Sequence, residues 1–156
     1  MIVVGIDPGL QGYVAVLNDG GHEPMLMPLA KNGEIDLMML KHLFQEFPID
    51  IVYLEQQHPR PGNSASSMFT IGKNYGKLLA IIELYGKPLV IVSPVTWQKG
   101  IIIGKRDKNQ IKDVVAKVIT DRYPNCIVHK RTGAIDYNKT DALGIAFYGL
   151  KKEKVK

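Results

Sequence analysis

Met1 to Asp7 is an apolar run that ends on a carboxylate, and after Gly9 and Gly12 a second apolar run extends from Tyr13 to Leu17. Runs of this length and composition, separated by glycine-bearing turns, read as paired strands. Asn18-Asp19-Gly20-Gly21 offers residues that tolerate positive φ in a tight hairpin, and Pro24 to Leu29 is expected to return as a third strand. The chain therefore opens as a β-meander, with its first acidic side chain at a strand end.

Downstream the period changes. Leu37, Leu40, Leu43, Phe44 and Phe47 recur at helical spacing until Pro48 stops the run, which predicts a helix packed on the sheet. Ile51-Val52-Tyr53-Leu54 has the composition of a buried central strand and finishes at Glu55. The turn-rich segment 58–64 precedes a long helix with Met68, Ile71, Tyr75, Leu78, Leu79 and Ile82 on one face. Leu89 to Val92 reads as another strand and Pro94 to Lys99 as a helical turn. A basic loop from Gly104 to Lys108 then feeds a helix over Ile111 to Tyr123, and a last helix runs from Asn138 to about Lys151. The order β-β-β-α-β-α-β-α-α predicts an α/β three-layer fold, a mixed five-stranded sheet with helices on both faces. No repeat or linker divides the 156 residues, so 1–156 is read as a single domain with 151–156 as a basic tail.

The longest apolar stretch, Leu78 to Ile82, is far short of the roughly 20 residues a membrane span needs. No basic segment precedes the apolar N-terminus as in a secretory leader. Cys126 is the single cysteine, which rules out an internal disulfide, a C-x-x-C redox pair and a cysteine zinc site. These features lead to the expectation of a cytoplasmic protein without a membrane partner. Charge is unevenly spread: residues 1–98 carry a net −3 and residues 99–156 a net +8. A basic half suits a polyanion, because phosphates attract Lys/Arg clusters and release counterions on contact; a solvated lysine-rich face is the simpler reading of the same residues.

Three carboxylates fall where a site can be assembled: Asp7 and Glu55 at strand ends, and Asp141 in the first turn of the last helix. Ligands in open sheets collect at strand ends. Three hard oxygen donors suit Mg²⁺, and two such ions sharing Asp7 support in-line displacement at phosphorus. Each residue also has a plainer role: Asp-Pro-Gly is an ordinary turn, Glu55 can be an exposed strand end, and Asn138 with Asp141 resembles a helix-capping pair. It is the trio together that points to chemistry.

The motifs in this order resemble the RuvC family of Holliday junction resolvases, which have a ribonuclease H-like fold. The resemblance is carried by Gly5-Ile6-Asp7-Pro8-Gly9 with Gly12-Tyr13, by Leu54-Glu55-Gln56, by Pro94 with Lys99, Gly104, Lys108 and Gln110, and by Thr140 to Ala146. It implies a homodimer that binds branched DNA, a four-way junction. Each subunit is expected to nick one of two like strands with Mg²⁺, for which Mn²⁺ can substitute, leaving 5′-phosphate and 3′-hydroxyl ends. It assigns Asp7, Glu55 and Asp141 to the metals and places the dimer contact on the long helix near Gly76. Two positions depart from the family pattern. The fourth ligand, acidic or histidine in relatives, is here Asn138, an amide that brings no charge, with Asp136 as an alternative oxygen donor. His58 stands where relatives often carry an aromatic that stacks on an unpaired base.

On this resemblance Lys99 and Lys108 are expected nearest the scissile phosphate, with Lys108 stabilising developing charge. Lys105 and Arg106 flank the same loop, and Lys73, Lys77, His58, Arg60 and Asn63 are further expected junction contacts. Trp97, beside Pro94 and Val95, is expected in the core. Competing chemistries lack their parts: Gly100 to Lys105 is one residue short of a Walker loop, and no serine elbow or zinc-site histidine spacing occurs. Two other readings are a branched-DNA binder whose cleavage has decayed through Asn138, and a phosphate-binding module of the actin and sugar-kinase type, for which the chain is short. A phage-encoded resolvase acting in a bacterial cytosol is compatible with this compactness, and no helicase partner is legible.

Overall fold

The computed structural model describes residues 1–58, 62–104 and 107–155, with the side chain of Lys108 also outside the description. Strands β1 (Ile2–Ile6), β2 (Tyr13–Asn18), β3 (Met25–Pro28), β6 (Ile51–Glu55) and β7 (Leu89–Val92) form one sheet in the order β3-β2-β1-β6-β7. β2 runs antiparallel to β1 and β3, whereas β1, β6 and β7 are parallel. Parallel pairing here follows from the helices that carry the chain back between those strands. The mixed five-stranded sheet with helices on both faces is the architecture the sequence predicts.

Side chains alternate across each strand, so the two faces have separate cores. Val4, Ile6, Val52 and Leu54 pack with Leu40, Leu43 and Phe44 of α1 (Leu37–Glu46) and with Leu78, Ile81 and Ile82 of α2 (Ala65–Leu84). On the other face Val3, Ala15, Leu17 and Tyr53 pack against α3 (Pro94–Ile101), α4 (Ile111–Arg122) and α5 (Tyr137–Glu153). α5 is buried along most of its length, and its small residues allow close approach: a Cβ on Gly149 would meet the Tyr53 ring at 2.5 Å, and one on Gly144 would meet Trp97 at 2.7 Å.

Several local expectations are corrected. A second sheet of β4 (Ala30–Lys31) and β5 (Glu34–Ile35) appears where none was expected. Its turn has Asn32 at φ 53° and Gly33 at φ 79°, the paired positive φ of a type I′ hairpin. The β2–β3 connection is a wider loop, not a tight turn, because Asp19 pairs with the N-terminal amine at 2.8 Å while Asn18 Oδ1 accepts the Gly20 N–H at 2.7 Å. α2 buries Asn74, Leu78, Ile81 and Ile82, while Met68 at its start is exposed. Periodicity defines an apolar stripe but not how far a neighbour extends along it. α5 continues through Glu153, so Lys151 and Lys152 lie in its last turn and not in a tail. Among the described residues, no helix is long and apolar enough to cross a membrane.

Candidate functional site

Ile6 of β1 lies opposite Leu54 of β6, so the next residues, Asp7 and Glu55, leave the same end of the two central strands. Alternation places both on the face covered by α5, since Val3 and Tyr53 point there while Ile6 and Leu54 point to α1 and α2. The Asp7 N–H donates to the Tyr13 carbonyl at 3.1 Å, and Asp7 Oδ1 accepts the Gly9 N–H at 3.3 Å. A Cβ on Gly12 would sit 2.0 Å from the Asp7 carbonyl oxygen, so the turn that holds Asp7 closes only with glycine there.

α5 delivers the third carboxylate. Its backbone lies against Gly5, where a Cβ would be 2.6 Å from the Ala142 carbonyl oxygen, and Asp141 directly precedes that residue. Asp141 Oδ1 is buried and accepts no hydrogen bond from the described residues. Burial pushes the Asp141 carboxyl up to about 7, and the charges of Asp7 and Glu55 push the same way, while the Lys112 ammonium opposes them. Burial and neighbouring carboxylates both disfavour the charged form, so this carboxyl holds its proton more tightly than an exposed aspartate does. Asp141 stands in the second turn of α5, not the first: the helix starts at Tyr137, and its N-cap is Asp136, which accepts the Asn138 N–H at 3.2 Å. Asp136, which caps the helix, and half-buried Asn138 both line a cavity of about 270 Å³ with Gln11, Tyr13 and Lys130.

Two contributors escaped the sequence reading. Trp97 is fully buried, as expected of a core residue, yet its Nε1–H donates to Glu55 Oε2 at 2.7 Å. Lys112, at the start of α4, faces Asp141 electrostatically and places its Nζ 5.7 Å from the Tyr137 ring centre, while the Tyr137 hydroxyl donates to Asp113. The only sequence signal for Lys112 was its position one turn after the basic loop.

The expected DNA contacts are dispersed. Lys99 is exposed in the last turn of α3. Lys73 and Lys77 converge on Glu34 of β5, at 3.1 and 2.5 Å, and hold its carboxyl down at about 2. His58 is exposed and lines a cavity of about 140 Å³ with Gln57, Met68, Ile71 and Tyr75; Asn63 is half-buried beside the α2 N-cap, Ser64. Arg60, Lys105 and Arg106 lie outside the described residues, as does the side chain of Lys108, whose backbone begins a 3-10 turn.

Among the described residues no group of three or more His, Cys, Asp or Glu side chains is placed so that it could hold a metal ion. The donor set nonetheless suits a hard divalent cation: three carboxylates and an amide, no thiolate or imidazole, and an orphaned buried oxygen on Asp141.

Neither a protein-family model nor a curated protein matches the chain. Solved structures do. Thermus thermophilus RuvC bound to a Holliday junction substrate aligns with a TM-score of 0.66 and 16% identity, over 99% of this chain and 96% of that one. Another structure of Thermus thermophilus RuvC aligns with a TM-score of 0.63 and 18% identity over the same shares. The fowlpox virus resolvase in complex with Holliday junction DNA aligns with a TM-score of 0.60 and 16% identity over the whole of both chains. What these proteins share with the chain is the α/β, ribonuclease H-like fold of RuvC and the poxviral resolvase.

Proposed function

We propose, from the premise of that shared fold, that this protein is a metal-dependent DNA endonuclease that resolves four-way junctions by paired nicks. The observation that carries the reading is Asp141: a buried carboxylate oxygen with no hydrogen bond among the described residues, in a carboxyl raised by burial and by Asp7 and Glu55. A buried carboxyl that feels two others at the carboxyl end of the central strands suits a cation. Asp7, Glu55 and Asp141 would hold Mg²⁺, with Asn138 contributing an amide oxygen. The metal, once bound, supplies positive charge at the scissile phosphate and acidifies a water for attack.

The chain's own residues set the geometry. The Gly9–Gly12 turn orients Asp7, Trp97 orients Glu55, and the α5 contact with Gly5 sets the depth of Asp141. Lys112 and Lys99 supply cations for phosphates that flank the reacting one, and Lys108 is assigned the developing charge. A homodimer formed through α2 matches a two-fold substrate. This assignment is supported by Phe69 and Leu84, which are 74% and 81% exposed, and by open space around Gly72 and Gly76.

A second reading, binding of branched DNA without cleavage, is favoured by one observation: the position expected to bring a fourth charged ligand carries Asn138. A synthetic mobile four-way junction labelled in turn on each strand separates the two. Symmetric nicks in Mg²⁺ with ligatable ends establish the endonuclease. Shifted but intact DNA across a range of Mg²⁺ and Mn²⁺ establishes the binder.

A further inference from the structure

We infer that Trp97 is a positioning residue for the metal site, holding Glu55 in its ligating conformation and linking it to the helix that carries Asp141. The inference rests on the endonuclease reading above and deepens it.

Val92, the last residue of β7, pairs with Glu55, so the chain that leaves β7 begins beside the carboxylate. Ser93 caps the new helix by accepting the Thr96 N–H at 3.2 Å, and Pro94 occupies its first position, which fixes the direction of α3 from its first residue. Trp97 follows after one turn. Its ring is fully buried, and a buried indole N–H needs an acceptor; here it takes Glu55 Oε2 at 2.7 Å. This bond restrains the carboxylate at Oε2.

The same ring touches the other carboxylate-bearing element. Gly144 lies three residues after Asp141 on α5, and a Cβ there would be 2.7 Å from the indole. Only glycine lets α5 come down onto Trp97 at that distance. A single side chain is therefore wedged between the strand that ends in Glu55 and the helix that presents Asp141. A purely space-filling core residue would not need to aim its one polar atom at a carboxylate. Phe would keep the aromatic packing but offer Glu55 no hydrogen bond.

Trp97 is the single tryptophan of the 156 residues, so emission excited where tyrosine does not absorb reports on the surroundings of this indole. The probe is Mn²⁺ added to the 156-residue chain. Wild type is expected to show a saturable change in Trp97 emission, at the concentrations where calorimetry registers Mn²⁺ binding, and Glu55→Gln is expected to lose it. Trp97→Phe is expected to bind junction in EDTA as wild type does, to bind Mn²⁺ about tenfold more weakly, and to recover nicking when Mn²⁺ is raised. Equal Mn²⁺ affinity in Trp97→Phe and wild type overturns the inference. So does a wild-type protein that nicks junctions while its Trp97 emission ignores Mn²⁺, and this arm decides the matter if the variant does not fold. Wild type that neither binds Mn²⁺ nor nicks fails at the earlier step and removes the endonuclease reading itself.

Discussion

Gly5 of β1 and Ala146 of α5 meet backbone to backbone: a Cβ added at Gly5 would lie 2.3 Å from the Ala146 nitrogen. Neither partner is a flexible side chain, so nothing at the contact can swing aside. The approach brings the helix bearing Asp141 onto the strand that leads into Asp7.

Gly5→Ala is therefore expected to push α5 off the sheet and cost about 1–3 kcal/mol of stability, the scale of overpacking in a tight core. Nicking is expected to fall more than junction binding, because Lys99 is carried by α3 and not by the displaced helix. Urea denaturation and a junction-nicking assay on the same preparation check both halves.

Asp7→Asn keeps the shape of the turn but removes one negative charge from the site. Nicking is expected to fall by about 10²–10³-fold, the scale for deleting one preorganised electrostatic group. Affinity for the junction in EDTA is expected to stay the same or tighten, since a charge that repels phosphate is gone. Equal losses of binding and cleavage in a gel-shift and nicking comparison would contradict this role.

The Asp141 carboxyl sits at about 7 in the folded chain, well above the ordinary aspartate value of 3.8. The folded state therefore holds this proton more tightly than the unfolded state does. Its contribution to stability is full below about pH 4, declines as pH rises towards 7, and is absent above that. In EDTA, the melting temperature of wild type relative to Asp141→Asn is expected to fall between pH 5 and pH 8. Mg²⁺ at pH 8 is expected to restore part of the difference, because a bound cation replaces the proton. Parallel melting curves for the two proteins across this range would contradict the expectation.

Glu34 takes Lys73 and Lys77 into one ion-paired cluster at the surface. Glu34→Ala is expected to leave stability nearly unchanged, as is usual for exposed pairs. If α2 lies along the DNA, releasing two ammonium groups is expected to tighten junction binding a few-fold at low salt, with the gain shrinking as salt rises. A salt series of binding isotherms for the two proteins checks it.

Much of this was legible in the order of residues because the governing interactions are local or periodic. Strand alternation puts Asp7 with Gly5 and Val3 on one face, and the apolar run before Glu55 makes it a strand end. The β4–β5 hairpin was missed although Asn32-Gly33 is a strong turn signal, since strands of two residues carry no period to detect. The start of α5 was misplaced because Asp136 and Asn138 are both good caps, and only the hydrogen bond to the Asn138 N–H chooses between them.

The order of elements, and the carboxylates that stand at the ends of β1 and β6, are readable locally, because hydrophobic period and turn chemistry act over a few residues. Tertiary structure alone decided that Trp97 bonds to Glu55 across 42 positions, that Lys112 faces Asp141, and that Lys73 and Lys77 turn to Glu34. These contacts depend on how helices settle against the sheet. That settling is fixed by close approaches at Gly5 and Gly144, whose spacing in the chain says nothing about which backbone or ring will come to meet them.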